Sequence, residues 1–383
     1  MSMSIPDIAA YDEVRQAARA FCEAEVRPYL ADFERVEAFP LDMARKMGEH
    51  GYLCATLPRA KGGADLDDWA FAVVCEEFGR YLSVRQIVTV QGMLCIALNG
   101  YGSAAQQARY LAPIARGELM VAYCLTEPGS GSDSRAMTTR AVRQGEDWVL
   151  NGQKTFITMA NSADVFLIFA QSEVDGNPAG ISAFLVDRDM GVQTTPLKGK
   201  LGQRSSDTGT VFLEDVRVPD ANRLGDVGQG FRIAMVVLDS SRIDVAAASV
   251  GLSQTCLDLS TRYAQERVQF GKPLAGFQLI QEHLADMVLD TDASRMLTYR
   301  AIAAKSAGRP ATREIAVAKL FASEAAQRNA YRAIQIHGGS GYFEDYEVER
   351  LARDARILTI YEGTSEVQKL LIGRHLTGIS AFT

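Results

Sequence analysis

The chain reads Ile360-Tyr361-Glu362-Gly363-Thr364-Ser365-Glu366-Val367-Gln368 near its C-terminus, just after the charged helical stretch Val348–Arg356. One carboxylate stands between an aromatic residue and a Gly-Thr-Ser step, with apolar Ile357, Leu358 and Ile360 before it. A glutamate held in an apolar pocket has a raised pKa and is a stronger base. Gly363 lets the backbone come close to a flat ligand, and Thr364 and Ser365 supply short hydroxyl donors. The same local pattern also fits an acidic residue at a helix N-terminus, capped by its neighbours. The rest of the chain decides between the two.

Working outward, the texture changes twice. Up to residue 119 the spacing is helical: Val14, Ala18 and Phe21 recur at steps of four and three, Pro28, Pro40 and Pro58 punctuate, and Lys61–Ala64 reads as a loop. From about residue 120 to 228, strand-like runs (148–150, 164–170, 181–186, 210–213) alternate with turn signals at 144–148 and Asn151-Gly152. Short strands so spaced predict a small antiparallel barrel or sandwich. After the glycine-containing linker 225–230 the helical period returns, with Leu252, Cys256, Leu259 and Tyr263 on one face and Leu284, Met287 and Val288 on another. Long Ala-rich helices over 229–383 predict a four-helix bundle. The fold class is therefore α+β and multidomain: 1–119 helical, 120–228 β, 229–383 helical bundle.

Composition narrows the function. The chain has 383 residues, 47% of them apolar, and a net charge of −7, which argues against a nucleic-acid partner. No stretch reads as long or pure enough to cross a membrane, and the N-terminus lacks the pattern of a secretory signal, so a cytoplasmic protein is expected. Six cysteines (22, 54, 75, 95, 124, 256) without a C-x-x-C pair read as buried thiols, with no disulfide and no zinc site. Four histidines out of ligand spacing leave no metal centre.

Three further motifs carry chemistry. In Leu125–Asp133, Gly129 and Gly131 flank Ser130 in a loop whose amides can face a ligand, with Thr126, Ser130 and Ser132 as donors; a plain surface loop has the same composition. Glu266–Pro273 ends a helix at Gly271 and offers Arg267 to a diphosphate or merely to solvent. Ile334–Tyr342 places Gly338, Gly339 and Gly341 after a helix, as a phosphate approach or as a C-cap.

Taken together with Asn151–Thr158 and Gly202–Thr208, these segments make the chain resemble the acyl-CoA dehydrogenase family from about Asp12 to Thr377. The resemblance implies FAD as cofactor, α,β-dehydrogenation of an acyl-CoA thioester, and Glu362 as the base that takes the α-proton. It assigns Tyr123, Leu125, Thr126, Gly131, Ser132, Phe156, Ile157 and Thr158 to the flavin wall. Arg267 and Gln278 are assigned to the diphosphate and adenosine, and Gln335, Gly338 and Gly339 to the same FAD from a neighbouring subunit. Thr364 and Glu366 also touch the cofactor. Ser132, Asp239, Arg242 and Gly363 lie on the substrate side. A homotetramer and an electron-transfer flavoprotein partner are implied as well. Two departures stand out. Ser241 occupies the position where relatives with a displaced base carry glutamate, which supports Glu362, and Phe156 replaces a frequent tryptophan. Leu82–Val90 resembles relatives acting on carrier-protein thioesters, with Arg85 as a solvated helix residue in the plainer reading. An acyl or hydroxyacyl group on a carrier protein is therefore one alternative, and a non-catalytic binding protein the other.

Overall fold

The computed structural model describes residues 5–382. The N-terminal part holds helices α1 (Asp12–Phe21), α2 (Leu30–Val36), α3 (Leu41–Glu49), α4 (Asp68–Phe78), α5 (Leu82–Tyr101) and α6 (Ala104–Ala115). Val14, Ala18 and Phe21 do share the inward face of α1. Ser103 and Gln106 close a capping box at the start of α6, each side chain bonding the other's backbone N–H. One eighteen-residue window within Asp68–Tyr101 is apolar enough for a membrane span, contrary to the reading from sequence. It is 89% buried inside the protein, so its hydropathy reflects core packing.

The middle part is a sheet of β1 (Val121–Cys124), β2 (Arg140–Gln144), β3 (Asp147–Thr158), β4 (Val165–Val174), β5 (Asn177–Asp187), β6 (Gln193–Pro196), β7 (Thr208–Pro219) and β8 (Arg223–Leu224). Its order is β6-β7-β3-β2-β4-β5-β8, with β1 also beside β4. The sheet is not purely antiparallel: β1 and β2 both run parallel to β4, pairing with successive halves of it. The hydrogen-bonded path among the described residues runs from β6 to β8 without closing, around an interior of Trp148, Phe166, Phe184, Val211 and Val218. Strand β4 explains its unbroken apolar run. Val165, Leu167 and Phe169 face α5 and α7 (Gly230–Glu266), while Phe166, Ile168 and Ala170 face the sheet interior.

Two turn expectations change. Asn151-Gly152 is not a turn but lies inside β3, where the register against β7 shifts. Asn151 and Asp215 exchange hydrogen bonds across that bulge, and a Cβ on Gly152 would meet Thr139 at 2.5 Å. The helix α7 ends at Glu266, not Gly271. Phe270-Gly271, both left-handed, turn a short hairpin between β9 (Val268–Gln269) and β10 (Lys272–Pro273). The cysteine expectation is corrected too: Cys54 and Cys95 form a disulfide, with Cα atoms 6.1 Å apart. Cys54, in a left-handed turn before α4, faces α5 across a separation of 41 residues that no spacing rule signals. The other four cysteines are free and buried.

The C-terminal part packs α7 with α8 (Gln278–Ser306) and α9 (Thr312–His337), and sets the shorter α10 (Val348–Ala355) and α11 (Ser365–Thr377) against α9. Small residues let these helices meet the N-terminal part closely. A Cβ on Gly251 of α7 would lie 1.8 Å from the Glu76 carbonyl of α4, and one on Gly79 would lie 2.3 Å from the Ala248 carbonyl. Gly251→Ala should therefore destabilise the protein by about 1–3 kcal/mol despite alanine's better helix propensity. Gly373→Ala in α11, where nothing lies within 4 Å, should stabilise by up to ~1 kcal/mol. Thermal denaturation of the two variants side by side checks the opposite signs.

Candidate functional site

A cavity of about 970 Å³ opens where α5, the sheet, α7 and α11 converge. Of the residues singled out in the sequence, it gathers Tyr123, Leu125, Thr126, Gly131, Ser132, Phe156, Ile157, Thr158, Asp239, Arg242, Glu362, Gly363, Thr364 and Glu366. It does not gather Arg267, Gln278, Gln335, Gly338 or Gly339, which are exposed at one end of the bundle. There Tyr263 stacks on His337 at 4.2 Å and bonds Ser340, so the Arg267 hairpin and the Gly338-Gly339 loop sit side by side. One chain therefore joins two loops that the sequence reading placed on different subunits.

The cavity floor is the 360–368 segment. Glu362 (φ 58°) and Gly363 (φ 90°) are consecutive left-handed residues, a conformation costly for glutamate. It is held from three directions. Arg242 Nε donates to the Glu362 carbonyl at 2.9 Å, Lys319 Nζ to the Gly363 carbonyl at 2.8 Å, and Gln368 Nε2 reaches both. Arg242 is in turn braced by Asp239 at 2.7 Å. Thr364 is the N-cap of α11, accepting from Val367 N, so the first-turn acid of that helix is Glu366 and not Glu362. This removes the plain capping reading of Glu362. Its side chain turns into the cavity instead, where Ser241 Oγ donates a short hydrogen bond to Oε2.

Burial pushes the Glu362 pKa up, and the Ser241 hydrogen bond with the nearby Arg85, Arg242 and Lys319 charges opposes this only in part. Lys319 itself is brought down to about 8, chiefly by burial. Asp244, buried on α7, is pushed up to about 7 by desolvation against the pull of Arg85 and Lys305.

The opposite wall is built by a second buried ion pair. Lys154 on β3 bonds Glu127 at 2.8 Å and the Leu125 carbonyl at 3.2 Å. Glu127 also accepts from Thr138 and Thr139 backbone N–H groups. The pair pins the Leu125–Asp133 loop onto the sheet. Ser130, read as a donor to a ligand, is spent inside the loop on the Asp133 carbonyl at 2.6 Å. Gly131 lines the cavity with open space where a Cβ would stand. Beyond Lys154 a second register shift in β3 turns Phe156 out at φ 57°, leaving it 71% exposed beside Ile157 and Thr158 on the cavity wall.

Sequence reasoning missed several members. Arg85 is fully buried, contrary to its reading as a solvated residue. Thr89 and Gln86, on the same helix, line the cavity. Lys319 went unnoticed, with a lone lysine in the Ala-rich run 316–322 as the available signal, and Gln368 was quoted as the end of the 360–368 motif without a role. The Gly202–Thr208 motif proves to be a fastener. Gln203 N bonds Asp354, Ser205 N bonds Glu34, and Gln86 bonds Gln203, tying the three parts together behind Tyr361.

Comparison with known proteins agrees with this architecture. Residues 9–118, 122–216 and 228–377 match the sequence families described as "Acyl-CoA dehydrogenase, N-terminal domain", "middle domain" and "C-terminal domain". The chain is 41% identical to the mitochondrial short-chain specific acyl-CoA dehydrogenase of Mus musculus, over 98% of this chain and 91% of that protein. It is 40% identical to the caffeyl-CoA reductase-Etf complex subunit CarC of Acetobacterium woodii, over 94% of this chain and 96% of that protein. The crystal structure of glutaryl-CoA dehydrogenase from Mycobacterium smegmatis superimposes with a TM-score of 0.94 at 33% identity, covering 98% of this chain and 96% of that one.

The buried pair yields a stability prediction. Partners hold Glu127 down to about 2 although burial alone would raise it, whereas burial lowers Lys154. Lys154→Met should cost about 3–5 kcal/mol by stranding the carboxylate. A depressed carboxylate stabilises the fold above its ordinary pKa of 4.5 and loses that contribution as pH falls toward about 2. The deficit of the variant should thus be largest above pH 4.5 and narrow below it, which denaturant titrations across that range measure.

Proposed function

The chain belongs to the acyl-CoA dehydrogenase family, an FAD-dependent group of oxidoreductases acting on CH–CH bonds, and from this we propose that Glu362 is its α-proton base. The observation that carries the reading is the carboxylate held in the cavity on a left-handed turn, with a raised pKa and one oxygen bonded only to Ser241. The cavity suits a flavin: it is roomy, apolar at Leu125, Phe156 and Ile157, lined with the hydroxyls of Thr126, Ser132 and Thr158, and open at Gly131. Bound there, FAD supplies the acceptor for the hydride leaving the substrate's β-carbon.

The residues of this chain do the rest. A thioester α-proton is too weakly acidic for a solvated carboxylate, so the developing enolate needs donors at its oxygen. The Glu362 N–H, which makes no hydrogen bond among the described residues, is aligned by the same turn that aims the side chain. Arg242, Gln368 and Lys319 fix that turn, so base and donor move as one unit. Cations near Glu362 keep it ionised enough to accept the proton, while burial keeps it basic enough to want it.

The adenosine end of the cofactor needs Arg267, Gln278 and the Gly338-Gly339 loop, which lie away from this cavity. A second copy presenting its bundle end would supply them together, and the exposed Phe270, Tyr342 and Phe343 there favour a covered surface. As part of this reading we propose a homotetramer built as a dimer of dimers. The Etf complex named for the CarC relative supports an electron-transfer flavoprotein as acceptor. The carrier-protein and non-catalytic alternatives are not favoured, because the two relatives named above are CoA-thioester enzymes by name and the proposed base keeps its supports.

Glu362→Gln is the test. The near-isosteric amide should leave a FAD-saturated tetramer in sedimentation while slowing anaerobic flavin bleaching by an acyl-CoA about 10²- to 10⁴-fold. Bleaching at the wild-type rate would place the base elsewhere, with Asp239 the next candidate. A FAD-saturated monomer at dilute concentration would remove the second copy from the cofactor site.

A further inference from the structure

Next to the Glu362 segment the fold buries a cation to which it bonds no anion. Arg85 of α5 is 0% exposed, and none of its Nε, Nη1 and Nη2 atoms has a hydrogen-bond partner among the described residues. One turn further along the helix, Thr89 is buried with its hydroxyl equally unpartnered, and the hydroxyl of Tyr361 is a third unsatisfied group. Thr89, Gln86 and Tyr361 all line the cavity that contains Glu362. Buried polar groups are satisfied almost everywhere in proteins, and a guanidinium is the most expensive group to leave alone. Two of these groups, Thr89 and Tyr361, stand on the wall of one cavity, and Arg85, one helical turn before Thr89, lies enclosed behind that wall; such a cluster marks a place where a ligand completes the bonding.

The groups that face Arg85 do not fill this role. Asp244 of α7 and Glu362 are the carboxylates near it, and the neutral Cys75 of α4 and Tyr361 also lie near it, yet none of them hydrogen-bonds it among the described residues. Glu362 is engaged by Ser241, and Asp244 is shared electrostatically with Lys305. Lys305, a second cation beside Asp244, bonds Asp68 and Ser240 instead. The remaining donors therefore point to an acceptor brought from outside.

We infer that Arg85 and Thr89 form a subsite for a carboxylate at the far end of the acyl chain, so that the substrate class is a carboxyacyl thioester. The inference rests on the acyl thioester reading above and names the substrate within it. The location fixes which end of the substrate is meant. The coenzyme A portion must run out to solvent, whereas Arg85 is wholly enclosed, so what meets it is the terminus of the acyl group. A guanidinium fork matches a carboxylate with two parallel hydrogen bonds, and a threonine hydroxyl one turn away adds a third donor. An unsubstituted acyl chain would leave all of these donors unsatisfied, which is the arrangement that gives strong discrimination between substrates.

The test uses FAD-loaded enzyme and two series of coenzyme A thioesters of matched length, one ending in methyl and one in carboxylate, read by anaerobic flavin bleaching. Wild type should favour at least one carboxyacyl member over its methyl counterpart by about 10²-fold in kcat/KM. Arg85→Gln should collapse that ratio toward unity mainly through KM, Arg85→Lys should restore part of it, and Thr89→Val should lower it less. FAD content and melting temperature report whether each variant is folded. If Arg85→Gln does not fold, the ratio in Thr89→Val decides. A wild-type preference for methyl-terminated chains overturns the subsite, as does an equal loss on both series in the folded variants. Absence of bleaching by any thioester overturns the acyl thioester reading itself, and the subsite falls with it.

Discussion

Everything at the centre of this protein depends on holding one carboxylate where a carboxylate does not want to be. Glu362 sits on a left-handed turn inside a cavity, and both facts cost free energy, about 1–3 kcal/mol for the backbone alone. The cost is offset by fixed hydrogen bonds to the turn's carbonyls from Arg242, Lys319 and Gln368, and by the charges of Arg85, Arg242 and Lys319 around the side chain. These supports come from α5, α7, α9 and α11, so no single element could assemble the site.

That requirement accounts for the polar seams between the three parts. Glu34 and Asp354, both buried, accept from the backbone of the 203–205 loop, and Gln86 bonds Gln203 from α5. Ser83 adds a bond to Glu34. Such paired and hydrogen-bonded carboxylates contribute little net stability but tolerate few alternative arrangements. They tie the N-terminal helices, the sheet and the bundle together at the relative position in which all three line the cavity. On the far wall Lys154 and Glu127 do the same for the loop that faces Glu362.

Much of this was legible in the sequence because it is written in local patterns. Helical spacing in α1 and α7, the doubly buried run of β4 and the Tyr361–Gln368 motif each declare themselves within about ten residues. The family resemblance then placed fourteen of the named site residues on one cavity. What stayed hidden depended on partners distant in sequence. Arg85 reads as an exposed helix residue until α4, α7 and Tyr361 enclose it. Asn151-Gly152 has turn composition, but Asp215 and Thr139 turn it into a bulge. Cys54 and Cys95 meet only because the turn before α4 lies against α5.

The most direct measurement of the central claim is the rate of flavin reduction as a function of pH, in single-turnover anaerobic mixing of wild type and Ser241→Ala. Proton abstraction needs Glu362 ionised, so the rate should rise with pH through its pKa. The account predicts an ascending limb above the ordinary glutamate value of 4.5. It also predicts that the limb moves further upward in Ser241→Ala, because the lost hydrogen bond favoured the charged form. A limb at or below 4.5, or one indifferent to Ser241, would contradict it.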